Sequence, residues 1–362
     1  MIKVAPIRVL VVDDSGFMRT ALKVLLETDP EIQVVGEARD GREAVEAVRT
    51  LRPNVVTMDL EMPVMNGIEA TEAIAAEHGS TVSIIMVSSH TQTGAAATLQ
   101  ALTKGAVDFV SKSSSFIQLD LGQMDTVLLP KIHYWARRGF TVRPAPKPDE
   151  TRHVGVVATE PAADRPLDLV LIGVSTGGPA TLPKLLRSMG PLSCPVVVAQ
   201  HMPELFTAPF AENLRGELGL DVVEGEFNVP LRPGSVVILP GGCDAMIRPL
   251  AQERGRFYLR KGDAGGNIHP SVDLLFKSAA VSATNPVGVI LTGMGSDGTE
   301  GARELVRRGA PVLIQTPQSA TVPGMPEAAI EAGLASDILS PEDIGRRIAR
   351  WNTKRENLEA HQ

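Results

Sequence analysis

The feature that most restricts this chain is a repeated change of period, in which short apolar runs of strand length give way to amphipathic stretches of helical period. Between Ile7 and Lys112, "IRVLVVDD", "IQVVGEA", "VVTMDLEM", "SIIMVSS" and "VDFVSK" alternate with "GFMRTALKVLLET", "GREAVEAVRTL", "IEATEAIAAEH" and "GAAATLQALTKG". Near-continuous apolar runs mark strands buried on both faces, and helical crossovers between them require parallel pairing. An α/β domain with a five-stranded parallel sheet is expected. The pattern then stops at "TVRPAPKPDETRHVGVVATEPAADRP", Thr141 to Pro166, whose prolines and charges predict a solvated linker. Just before it, "MDTVLLPKIHYWARR" predicts a helix that runs into the linker. The alternation resumes with "DLVLIGVS", "CPVVVAQHM", "SVVILPGG", "VGVILTGMGSDG" and "PVLIQT". A second, doubly wound and mostly parallel α/β domain follows. The expected divisions are 7–125, a helix extension and linker over 126–165, and 166–353.

A length of 362 residues also favours two cores over one. With 43% hydrophobic and 21% charged residues, the chain reads as soluble and globular, and aromatic residues at only 4% suit buried parallel strands. A net charge of −7 argues against nucleic acid as a partner. No apolar run reaches spanning length, and "MIKVAPIRVLVVDDSG" lacks the pattern of an export signal, so no membrane insertion and a cytoplasmic location are expected. The two cysteines, Cys194 and Cys243, have no metal-ligand spacing and read as small buried residues.

Ligands of open parallel sheets gather outside the carboxyl ends of the strands. In the first half those ends carry Asp13 and Asp14, Asp59, Ser88 and Lys112. Three carboxylates at one edge need a hard cation such as Mg²⁺ to neutralise them. One carboxylate can then accept a phosphoryl group while the hydroxyl and the ammonium hold its oxygens. The motifs "VVDDSGFMR", "TMDLEMPVMNG", "MVSS" and "DFVSK" resemble those of response-regulator receiver domains, which have a flavodoxin-like fold. That resemblance implies Asp59 as phosphoryl acceptor, Asp13 and Asp14 as metal-site acids, with Asp14 and Asp59 as metal ligands, Ser88 as switch hydroxyl and Lys112 as phosphate-binding lysine. Ser113 departs from the proline that usually follows this lysine.

In the second half "GVSTG", Gly173 to Gly177, fits G-x-S-x-G between an apolar run and a helical pattern. The turn suits two chemistries, a nucleophilic Ser175 or a glycine-rich phosphate loop at a helix N-terminus. A nucleophilic serine needs a base, and the base needs a group that fixes its tautomer. His201 and Asp297 each stand just past another apolar run, so parallel strands would bring Ser175, His201 and Asp297 to one sheet edge. His269 is a rival base, and Asp244 and Asp273 are rival acids. Asp297 also has the position to cap a helix starting near Thr299. His78, His90, His133 and His153 lie in the first half or the linker, away from this edge. The chain order Ser, His, Asp differs from that of the α/β-hydrolases.

The motifs "IGVSTGGPATL", "VVAQHMP", "LPGG", "HPSVDLLF" and "LTGMGSDGTEGA" resemble the catalytic domain of the chemotaxis CheB methylesterases, from about Asp168 to Arg350. The intervals from Ser175 to His201 and on to Asp297 agree with that family, as does a receiver joined through a proline-rich linker. The resemblance implies a phosphorylation-regulated serine hydrolase. It would demethylate glutamate methyl esters and deamidate glutamines on the cytoplasmic domains of chemoreceptors, with a chemotaxis histidine kinase as phosphodonor. It further implies Mg²⁺ for receiver phosphorylation and no metal for the esterase step. Turns around Thr176, His201 and Met294 are the expected sources of oxyanion donors.

Overall fold

A computed structural model describes residues 5–89, 91–112, 125–138, 159–162, 165–251, 253, 255–266 and 268–359. Ser113, His90, His153 and most of the proline-rich segment lie outside these residues. The chain divides into two compact units, Met1–Pro146 and Lys147–Gln362.

In the first unit β1 (Ile7–Val12), β2 (Ile32–Ala38), β3 (Val55–Asp59), β4 (Ser83–Ser89) and β5 (Asp108–Lys112) alternate with α1 (Gly16–Leu26), α2 (Gly41–Leu51), α3 (Gly67–His78) and α4 (Gln92–Thr103). The strands pair in parallel in the order β2-β1-β3-β4-β5. Position in the sheet explains the composition of each strand. Central β3 is buried at every residue, whereas edge β2 has buried ends and a partly exposed middle. Side-chain oxygens of Ser15, Asp40, Asn66 and Thr91 accept amide hydrogens at the starts of the four helices. Residues 125–138, at the head of the predicted linker, form α5 (Asp125–Arg138) and bury Leu128, Ile132 and Trp135. Lys131 of α5 pairs with buried Asp108 at 2.5 Å, and the Trp135 indole also donates to Asp108. The same ammonium lies 5.9 Å from the Phe109 ring centre.

The second unit holds β6 (Leu169–Val174), α6 (Gly178–Met189), β7 (Val196–Gln200), α7 (Thr207–Leu218), β8 (Val222–Glu224), β9 (Val236–Ile238), β10 (Asp244–Pro249), β11 (Phe257–Gly262), α8 (Val272–Ser282), β12 (Pro286–Ile290), α9 (Thr299–Arg307), β13 (Val312–Gln315), α10 (Gly324–Glu331), β14 (Asp337–Leu339) and α11 (Pro341–Glu359). Seven strands form a parallel sheet in the order β14-β13-β12-β6-β7-β9-β8, and β10 and β11 form a separate antiparallel pair. All residues of β6, β7, β12 and β13 are buried. From β6 the chain winds outward through β7 to β9 and β8, then returns to β12 on the other flank of β6. The crevice outside the carboxyl ends of β6 and β12 is therefore the switch point at which a doubly wound sheet binds its ligand.

The apolar runs of the second half all become strands. The sequence reading did not include β8, β14, the β10–β11 pair, α10 or α11. Both cysteines are free thiols. Burial pushes Cys194 up to about 12, whereas Cys243 is only half-buried and so departs from the expectation of a core residue.

Candidate functional site

The loops after β6, β7 and β12 carry Ser175, His201 and Asp297 to one edge. Val174 pairs with Gln200 in register, so Ser175 and His201 are the next residues on neighbouring strands. The bond from the His201 amide to the Val174 carbonyl, 3.0 Å, continues that pairing one residue further. His201 Nε2 lies 2.8 Å from Asp297 Oδ2, with side-chain exposures of 9% and 17%. A carboxylate only accepts hydrogen bonds, so the imidazole carries its proton on Nε2 and leaves Nδ1 with a lone pair.

Asp297 is fixed by more than the histidine. Its Oδ2 also accepts the Val272 amide at 2.8 Å, and its Oδ1 accepts the amides of Asp273 at 2.9 Å and Gly298 at 3.0 Å. Burial pushes the Asp297 carboxyl up, but the His201 hydrogen bond and charge and the amides of Asp273 and Val272 outweigh it. The carboxyl is held below its ordinary value. Gly173 makes this contact possible, because a Cβ there would lie 2.3 Å from Val272 Cγ1 and push α8 away.

The rival acids have other work. Asp273 Oδ1 accepts the amides of Gly298 at 3.0 Å and Gly301 at 2.7 Å, so Asp273 caps α9 while Asp297 caps α8. Burial is the largest influence on Asp273 and, with the charge of Asp297, lifts its carboxyl above the ordinary value. Asp244 accepts the Ser271 amide at 2.7 Å, the Ala264 amide at 2.8 Å and His269 Nδ1 at 3.0 Å. The rival base thus belongs to a separate His–Asp pair. That pair anchors residues 269–271, next to the two amides that hold Asp297. Sequence reasoning saw His269 and Asp244 only as competitors, since nothing in their spacing pairs them.

The serine turn is braced from both sides. Ser175 N donates to Thr292 O at 3.0 Å, and Gly178 N donates to Ser175 O at 2.9 Å. Two amides that a phosphate loop would offer are therefore engaged internally. Gly177 has φ +84, and a Cβ on it would lie 2.4 Å from Thr321 Cβ. Only glycine makes this turn without strain. Thr176 is buried, and its carbonyl accepts from Thr292 Oγ1 at 2.9 Å. The His201 amide itself is engaged with Val174 at 3.0 Å. Among the described residues the amide of half-buried Met294 has no hydrogen-bond partner, which leaves that donor available in the loop that carries Asp297.

At the first unit's carboxyl edge, Lys112 Nζ lies 2.8 Å from both Asp13 Oδ2 and Asp59 Oδ1. Carboxylate oxygens of Asp13, Asp14 and Asp59 lie within 4.8 Å of one another. Burial pushes the Asp59 carboxyl up to about 6, with the Lys112 charge opposing and the Asp13 charge reinforcing it. Burial works against the Lys112 ammonium, yet the two carboxylates prevail and raise its pKa. Ser88 is buried at the end of β4, and its hydroxyl donates to the Ser89 carbonyl at 3.4 Å.

The protein-family models described as "CheB methylesterase" and "Response regulator receiver domain" match residues 170–348 and 9–121. The chain is 46% identical over 353 residues to a Nocardioides protein-glutamate methylesterase/protein-glutamine glutaminase, covering 95% of each. It is 40% identical to the Thermotoga maritima protein of the same description, covering 94% of this chain and 97% of the relative. Among solved structures it is similar to the T. maritima CheB methylesterase catalytic domain, with 34% identity and a TM-score of 0.48, covering 51% of this chain and 99% of that one. With both domains matched and the likeness running along nearly its whole length, the chain belongs to the CheB methylesterase family in its receiver-bearing form.

Proposed function

We propose that this chain hydrolyses glutamate methyl esters on chemoreceptor cytoplasmic domains, deamidates specific receptor glutamines, and does so under control of phosphorylation at Asp59. Ser175 Oγ bonds to the acyl carbon while its proton passes to His201 Nδ1, the ring nitrogen that Asp297 leaves free. His201 returns that proton to the departing group as methanol or ammonia. A water then gives a proton to His201 and attacks the acyl-enzyme, releasing glutamate and restoring Ser175. Asp297 holds the ring and stabilises the imidazolium without itself taking the proton. The Met294 amide, with the turn at Thr176, stabilises the oxyanion.

The observation that carries this reading is the 2.8 Å bond between His201 and Asp297, on the strand end next to that of Ser175. Labelled methanol released from methylated receptor fragments tests it. The parent protein should release methanol and Ser175→Ala should release essentially none; equal release by both would overturn the assignment.

Asp13, Asp14 and Asp59 offer clustered hard oxygen donors, which suits Mg²⁺. When bound, the cation neutralises the acids during phosphoryl transfer from the histidine kinase. Lys112 and Ser88 hold the phosphate oxygens on Asp59. No helix among the described residues is long and apolar enough to cross a membrane. The proposed place of action is the cytoplasm, on the cytoplasmic domains of the receptors and without insertion or nucleic acid.

A further inference from the structure

We infer that Gln200 is a positioning residue for the hydrolysis, acting as a clamp that sets the distance between the nucleophile turn and the base turn; this rests on the roles proposed for Ser175 and His201. Gln200 ends β7 and is 2% exposed. Its Nε2 donates to the Ser175 carbonyl at 2.9 Å and to the His201 carbonyl at 3.1 Å. One side-chain amide therefore ties together the backbones of the two residues that must exchange a proton. Both partners are acceptors, so the amide orientation is fixed by chemistry: turning it over would set Oε1 against two carbonyl oxygens.

The other end of the side chain argues against a purely structural role. Gln200 Oε1 is buried and has no hydrogen-bond partner among the described residues. A buried acceptor without a partner destabilises the fold, and an apolar residue of the same shape removes that penalty. The close fit at Gly178 shows how tightly the group is housed, since a Cβ there would lie 1.8 Å from Oε1. For stability the two donor bonds and the unpartnered acceptor work against each other, whereas a site that needs its two turns held together uses both donors. Beyond β6 and β7 the sheet ladder ends, and the side chain takes over its work.

Gln200→Met keeps the volume and removes both polar atoms. The variant relieves Oε1 but leaves the Ser175 and His201 carbonyls one donor short, so its thermal midpoint should shift by only a few degrees while KM for a methylated receptor fragment stays unchanged. Its kcat should fall by about 10- to 100-fold, the penalty of a small misplacement of reacting groups. Labelling of Ser175 by a sulfonyl fluoride should slow in parallel. Unchanged kcat would overturn the inference, and so would activity lost only through unfolding, with the folded fraction turning over at the parent rate, because Gln200 would then serve stability alone. Ser175→Ala in the same assay keeps the two readings apart. If that variant is active the functional proposal fails, whereas if it is inert and Gln200→Met matches the parent only the clamp fails.

Discussion

The two carboxyl edges of this molecule use the same residue type in opposite ways. At the first, Asp59 is buried beside Asp13 and its carboxyl is pushed up to about 6, with one lysine balancing both acids. At the second, Asp297 is also largely removed from water, though less completely, and the amides of Asp273 and Val272 with an imidazole hold it below its ordinary value. A carboxylate short of fixed donors is ready to take a new bond to an electrophile or a cation. One surrounded by fixed donors can only orient its neighbour. Burial is common to both, so the count of preorganised donors sets the difference.

The sharpest way to break this comparison is to remove the groups that Asp297 serves. Ser175→Ala should lower ester hydrolysis by about 10⁴- to 10⁶-fold, as loss of a triad nucleophile does, measured by methanol release. Asp297→Asn should cost about 10⁴-fold in kcat, because the amide can present a donor to Nε2 and favour the wrong tautomer. A loss under tenfold would mean that the fixed carboxylate does not orient His201.

At the other edge Asp59→Asn should abolish the rise in turnover produced by a small-molecule phosphodonor with Mg²⁺. Equal stimulation of variant and parent would show that Asp59 is not the acceptor.

A smaller effect tests the anchor of the α8 start. Asp244→Ala leaves the Ser271 and Ala264 amides and His269 without their partner, so chemical denaturation should register a loss of about 1–3 kcal/mol. No measurable loss would separate this pair from the support of Asp297.

The smallest effect is a pH dependence. Because the folded value of Asp297 lies below its unfolded value, its carboxylate stabilises the fold above pH ~4 and loses that contribution as pH falls through the folded value. Asp297→Asn should therefore show a shallower decline in stability below pH ~4 than the parent; parallel acid curves would refute the origin assigned to the shift.

Much of both edges could be seen in the sequence because apolar runs end abruptly at chemically distinctive residues. Ser175, His201 and Asp297 follow β6, β7 and β12 closely, and Asp59 and Lys112 close β3 and β5. The β10–β11 pair was hidden by its composition. "DAMIRP" and "FYLRKG" form a two-stranded sheet apart from the main one and carry Arg and Lys, so no continuous apolar run marks them. The three-residue strands β8 and β14 are too short to show a period. Gln200 was passed over because a glutamine before a histidine announces no chemistry until two carbonyls are found against it. The cross-capping of α8 by Asp297 and α9 by Asp273 was equally invisible, since each acid serves the other's helix.

The order of residues alone determined that this chain builds two parallel sheets and which side chains stand where their strands end, because burial on both faces forces a recognisable alternation of apolar runs and helices. Which of those side chains meet, which nitrogen of His201 is free and which acid is pinned were decided only by the folded chain. Hydrogen bonds and burial depend on neighbours brought from distant positions, and short-range patterns carry no record of them.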